Sequence, residues 1–191
     1  MEDRSKFIDQ LKREKKILRI TFLGDGAVGK TTLVSQFLNK FGVVENQLPS
    51  EERTPFMNVI SWKQGDFTIQ CFDLAGQRIE KAHPIELITK QVLGGLDIIF
   101  FVFTLDRFAS FENIETWYNL AENNEIAGKV KYYLVGNKCD LEQIVNQEMI
   151  DNTIKNGMFT NYISTSAVTE DGISSMIDII EDVGKQNLIL E

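Results

Sequence analysis

Residues Gly24-Asp25-Gly26-Ala27-Val28-Gly29-Lys30-Thr31-Thr32 follow directly on Ile17-Leu18-Arg19-Ile20-Thr21-Phe22-Leu23, an apolar run of strand length. The nonapeptide fits G-x-x-x-x-G-K-[ST], and it stands between a buried strand and the start of a helix, where such a loop must stand. Its glycines let backbone N–H groups turn inward around a di- or triphosphate, because a side chain there would fill the anion's space. A helix expected from about Gly29 to Lys40 aims the positive end of its dipole at the same point. Asp25, Gly26, Ala27, Val28, Gly29, Lys30, Thr31 and Thr32 are therefore candidate nucleotide-binding residues. Lys30 supplies charge for the β- and γ-phosphates, and the Thr31 hydroxyl is placed to ligate Mg²⁺.

With 191 residues the chain suits one α/β domain with a sizeable core. Its formal charge of −8 argues against a nucleic-acid partner, although Lys12, Arg13, Lys15, Lys16 and Arg19 form a local basic stretch. Two cysteines, Cys71 in a strand pattern and Cys139 in a loop, suggest reduced thiols and a cytoplasmic protein rather than a disulfide frame. No apolar run reaches the length of a membrane-spanning helix, and the N-terminal region is too charged for a signal peptide. Glu2 rules out myristoylation, and the last residues, Leu188 to Glu191, hold no cysteine for prenylation. The expectation is no lipid anchor, with membrane contact only indirect or through the N-terminal segment. Residues 1–16 form a charged extension with Phe7, Ile8 and Leu11 at helical spacing. So narrow a stripe fits a solvated helix or frayed terminus better than an amphipathic segment that docks on a membrane or partner.

Downstream of the phosphate loop, residues 41–53 read as a polar loop, and residues 55–62 and 67–73 as two strands joined by a Gln64-Gly65-Asp66 turn. Asp73 ends the second strand at the edge where open α/β sheets bind ligands. In Asp73-Leu74-Ala75-Gly76-Gln77 the Asp is placed as a Walker B carboxylate for Mg²⁺. Gly76 can offer its N–H to a γ-phosphate, and Gln77 can orient an attacking water. A helix is expected within residues 78–95, with His83, the single histidine, as a turn or surface residue. Residues 97–103 are continuously apolar, as a central parallel strand requires. Ser110 to Asn113 gives a partial capping pattern for the next helix, with Phe108, Phe111 and Trp117 facing the core.

The strand at residues 130–136 leads into Asn137-Lys138-Cys139-Asp140. A carboxylate leaving a strand end can accept both the N1–H and the N2–H₂ of guanine. Adenine lacks that donor pair and would leave the carboxylate unpaired. Asn137 and Lys138 would tie this loop to the phosphate loop and cover the base. A helix over about 143–156, a short strand near 159–163, and Ser164-Thr165-Ser166-Ala167 follow, where Ser166 and Ala167 are small enough for a backbone N–H to approach guanine O6. A last helix runs over about 171–188.

These motifs, in this order, resemble those of Ras-like small GTPases over residues 17–188. The resemblance implies the P-loop NTPase fold, with a six-stranded, mainly parallel sheet flanked by helices. It also implies GTP and GDP as ligands, Mg²⁺ as cofactor, slow hydrolysis, and two loops that change shape with the γ-phosphate. An exchange factor, a GTPase-activating protein and effectors would be its partners. The phosphate loop and Ser110-Phe111-Glu112-Asn113 are similar to those of Rho and Rab proteins. Thr54, nineteen residues before Asp73, has the Arf spacing and aligns with the threonine that meets Mg²⁺ and the γ-phosphate. The metal set so implied is Thr31, Thr54 and Asp73, and the catalytic pair Gln77 and Lys30. Phe41 is offered as a ring to stack on guanine, and Arg53 as an arginine acting in cis. Val168 stands where the family's S-A-K motif has lysine, and the stretch after Gln77 is longer than in Rab-like chains. A GTP-binding interaction module with negligible turnover is the alternative reading. A P-loop kinase or ATPase would have no use for Asn137 and Asp140.

Overall fold

The computed structural model describes residues 16–41, 57–74, 95–123 and 130–189. Strands β1 (Ile17–Leu23), β2 (Met57–Gln64), β3 (Phe67–Leu74), β4 (Ile98–Thr104), β5 (Lys131–Asn137) and β6 (Asn161–Ser164) form one six-stranded sheet in the order β2-β3-β1-β4-β5-β6. Only the β2–β3 pair is antiparallel. Those two strands are adjacent in sequence and turn at Gly65, whose φ of 55° is open to glycine at little cost. The described helices are α1 (Lys30–Lys40), α2 (Phe108–Glu112), α3 (Ile114–Asn123), α4 (Gln147–Lys155) and α5 (Ile173–Ile189).

Every residue of β4 is buried, which is why its sequence shows no polar alternation. Ile98, Phe100 and Val102 join Leu33 and Phe37 of α1 and Met176, Ile180 and Val183 of α5 in one core layer. Ile99, Phe101 and Phe103 join Ile114 and Trp117 of α3 and Ile150 of α4 in the other. The period of two along one strand thus feeds two cores, and the helices sort to opposite faces. Aromatic rings cross both layers: Phe22 stacks on Phe100 with centroids 5.2 Å apart, and Phe101 meets Phe159 edge-on at 5.3 Å. Cys71 and Cys139 are both free thiols. Among the described residues no helix is long and apolar enough to cross a membrane.

Several sequence expectations need correction. The helix expected to open at Ser110 begins at Phe108, capped by the extended Arg107. Ser110 is buried inside it, where its Oγ accepts from Thr104 N–H at 3.0 Å and donates to the Arg107 carbonyl at 2.7 Å. The capping pattern marked a different job for the hydroxyl: it closes the end of β4. Phe108 lies outward and is 38% exposed, while Trp117 is buried as expected. The helix expected from 143 starts at Gln147, because Asn146 Oδ1 accepts from Met149 N–H and caps it there. The short strand falls at 161–164, one pairing step on, and leaves Phe159 to the core. The N-terminal stripe, the helix after Gln77 and His83 lie outside the described residues.

Replacing Ser110 by Ala strands the buried Thr104 N–H without its acceptor. Urea unfolding is expected to show a loss of about 1–3 kcal/mol with the slope unchanged.

Candidate functional site

The C-terminal ends of β1, β3, β4 and β5 carry the loops the sequence singled out. After β1 the chain turns at Gly24, where a Cβ would meet the Val102 carbonyl oxygen at 2.1 Å. Gly29 has φ 95°, and a Cβ there would sit 2.4 Å from Asn137 Nδ2. Both glycines are demanded by close approach, and Ala27 between them is left-handed with φ 61°. Gly29 is also the N-cap of α1 and gives no side-chain cap bond. The first-turn N–H groups of α1 therefore open toward the loop's concave side, as an anion would require.

The loop's carbonyls are bonded instead. Lys30 Nζ donates to the Gly24 carbonyl at 2.8 Å and to that of Asp25 at 2.7 Å. Arg107 Nη2 donates to Gly26 O at 3.1 Å, Asn137 Nδ2 to Val28 O at 2.8 Å, and Leu33 N–H to Gly29 O at 2.9 Å. Burial pushes the Lys30 ammonium down to about 8, against the raising influence of Asp73 and Asp25. A bound phosphate would supply the counter-charge it lacks.

Thr31 Oγ1 donates to Asp73 Oδ2 at 3.0 Å, which joins two of the three metal candidates. Among the described residues, buried Asp73 Oδ1 has no hydrogen-bond partner. Burial raises the Asp73 carboxyl above its usual range, while the Thr31 hydroxyl and the Lys30 ammonium draw it down. A hydroxyl and a carboxylate with an unused oxygen, beside a phosphate loop, are the hard donors Mg²⁺ takes. Thr32 is exposed on the outer side of the first turn of α1. Thr54, Gly76, Gln77 and Arg53 lie outside the described residues.

The base-side loop is assembled around Asn137, which is 1% exposed. Its Nδ2 reaches Val28 O, and its Oδ1 accepts from Thr165 Oγ1 at 3.1 Å, so one carboxamide joins three loops. Lys138 adopts φ 63°, with its ammonium 3.8 Å from Asp106 Oδ2. Asp140 is exposed. Ser166 is buried, its Oγ accepting from the N–H groups of Val168 and Thr169, and the Ala167 carbonyl accepts from Gln36 Nε2 at 2.7 Å. These bonds set the small-residue turn beside the Asn137 loop, and Cys139 N–H donates to Thr165 O at 3.0 Å to join them. Val168 is 79% exposed.

Asp25 holds its carboxylate away from the concave side of the phosphate loop: Oδ2 accepts from Asn113 Nδ2 at 2.7 Å and Oδ1 from Trp117 Nε1 at 2.9 Å. Any contribution it makes to a nucleotide therefore runs through its backbone. Phe41, offered as a ring to stack on guanine, is half-buried against the core. It closes the far end of α1, about 16 Å of helix from Lys30, and packs its ring 5.6 Å from that of Trp62. Asp106 and Arg107 escaped the sequence reading, which took Asn113 only for a cap and Trp117 only for the core. The four-residue spacing of Asn113 and Trp117, which puts them on one helical face, was the available signal.

A family model for the Ras family matches residues 19–185. The chain belongs to the Ras family. Among relatives of this Ras-family chain, Ras-related protein Rab-28 of Caenorhabditis elegans is 30% identical over 161 residues, 79% of this chain and 61% of that protein. Ras-like GTP-binding protein RHO1 of Entamoeba histolytica is 29% identical over 175 residues, 88% and 77% of the two chains. Ras-related protein RABG3f of Arabidopsis thaliana is 27% identical over 134 residues, 68% and 62%. The chain thus spans about three fifths of the length of several relatives it matches. Similarity to Rab and Rho proteins agrees with the Rho- and Rab-like phosphate loop and Ser110–Asn113 stretch.

Because Lys30 is half-deprotonated near pH 8, loading nucleotide-free protein with GDP at that pH is expected to take up about half a proton. Calorimetry in two buffers of different ionisation enthalpy reads this directly. Uptake should vanish at pH 6.5, where Lys30 is already protonated.

Proposed function

We propose that this Ras-family protein is a nucleotide-dependent molecular switch that binds GTP, hydrolyses it slowly to GDP and acts in signalling or membrane trafficking. The observation that carries the reading is the Asn137 Nδ2 to Val28 O bond of 2.8 Å. It sets a phosphate loop and a guanine-selecting loop in one site, which a kinase or ATPase would not need. The backbone N–H groups of residues 26–31 receive the phosphate oxygens, and Lys30 adds a full charge to them. Asp140 accepts from the guanine edge, Lys138 covers the ring, and the Ser166–Ala167 backbone meets O6. Thr31 and Asp73, with Thr54, would hold Mg²⁺, which would supply positive charge to the phosphates. Gln77 orients the attacking water, and Gly76 donates its N–H to the γ-phosphate. An arginine supplied by an activating partner would raise the rate by on the order of 10³ to 10⁵. Exchange factors and effectors are the other partners this reading requires, at the cytoplasmic face of the cell.

Val168, exposed where the family's motif has lysine, favours a second reading, a GTP-binding module with negligible turnover. Single-turnover hydrolysis separates the two: Gln77→Leu should slow the wild-type rate at least about tenfold. A wild-type rate no faster than that of the variant supports the scaffold. For base choice, Asp140→Asn is expected to lose guanine preference and gain affinity for xanthine nucleotides, as read by competition against labelled GDP. Equal wild-type affinity for ATP and GTP would overturn the reading altogether.

A further inference from the structure

The phosphate loop carries an aspartate, and an anion is an awkward neighbour for a phosphate site. An unmasked Asp25 carboxylate would repel the incoming phosphates and could swing toward Lys30, whose charge the site needs. Instead both carboxylate oxygens are occupied from the outer side, by Asn113 Nδ2 at 2.7 Å and Trp117 Nε1 at 2.9 Å. The two donors stand four residues apart at the start of α3, on one face.

Neither donor is loose. Trp117 is 5% exposed and belongs to the core layer built on Phe101 and Phe103. Asn113 links α2 to α3, with its backbone N–H donating to Ala109 O at 3.2 Å. Ser110, just before it, is bonded to the end of β4 through Thr104. A continuous path of packed and hydrogen-bonded groups therefore runs from the central strand to the carboxylate. Arg107, at the N-cap of α2, adds a second fixed point one residue further along the loop, on Gly26 O. The left-handed turn at Ala27 follows immediately, and a strained backbone persists only where its surroundings hold it.

We infer that Asn113 and Trp117 are positioning residues that clamp Asp25, hold the phosphate loop in its receiving shape, and thereby set how slowly the bound nucleotide leaves. The clamp acts on the diphosphate half of the site. The inference rests on the nucleotide-switch reading above.

The test is release of a fluorescent GDP analogue from full-length protein, chased with excess GDP in magnesium buffer. Asn113→Asp sets a second carboxylate about 2.7 Å from the first and should speed release by about tenfold or more. In the exchange variant Asp25→Asn/Asn113→Asp, the new carboxamide can donate to the new carboxylate while its oxygen still accepts from Trp117. Release should return to within about threefold of wild type. A residue that merely fills space would not be rescued by swapping two near-isosteric groups. Glu115→Ala, on an exposed position of α3, should release at the wild-type rate.

Wild-type release from Asn113→Asp, or an exchange variant as fast as that single variant, overturns the clamp. Should Asn113→Asp fail to fold, Trp117→Phe removes only the indole donor and ring bulk, and an unchanged release rate there overturns the clamp equally. Failure of the wild-type chain to load any guanine nucleotide would instead overturn the switch reading itself.

Discussion

A loop that receives phosphate oxygens must leave its own N–H groups unsatisfied, so its shape has to be enforced through everything else it carries. Here the enforcement falls on its carbonyls. Those of Gly24 and Asp25 go to Lys30, that of Gly26 to Arg107, that of Val28 to Asn137 and that of Gly29 to Leu33. The donors come from α1, from the connection after β4 and from the end of β5. Parallel strands deliver all of these to one edge of the sheet, because each crossover carries the chain back to the opposite edge before the next strand begins.

Two consequences follow for the electrostatics. Among the described residues Lys30 bonds directly to neutral carbonyls, and burial lowers its basicity against the raising influence of Asp73 and Asp25. Asp73, nearby, shows the opposite imbalance: a carboxylate with one oxygen accepting from Thr31 and the other without a partner among the described residues. Each group is incompletely satisfied alone, and a metal-bound phosphate chain would complete both. A site preorganised in this way costs little rearrangement when its ligand arrives.

The apolar code was readable residue by residue. The unbroken run of β4 announced a strand covered on both faces, whereas Gly24 and Gly29, read as leaving room for an anion, also face Val102 O and Asn137 Nδ2 where a Cβ would stand. Element ends were less readable. Ser110 has the chemistry of a cap, yet it serves as an internal acceptor, since the same hydroxyl suits either task and only the neighbouring Thr104 N–H decides. Phe41 shows the same limit. An aromatic ring near the first loop can stack on a base or on Trp62, and only the folded chain shows Phe41 against Trp62.

The sequence alone determined the class of sheet, the two loops on which recognition depends, and the family, because these rest on local rules: hydrophobic period, glycine geometry and motif spacing. The tertiary structure decided which side chains hold those loops. Asn113, Trp117 and Arg107 lie more than eighty residues from the carbonyls and carboxylate they bind. No local preference encodes such a pairing. It appears only when β4 is laid beside β1 and the helices after it fold back over the sheet, bringing donors and acceptors within hydrogen-bonding distance.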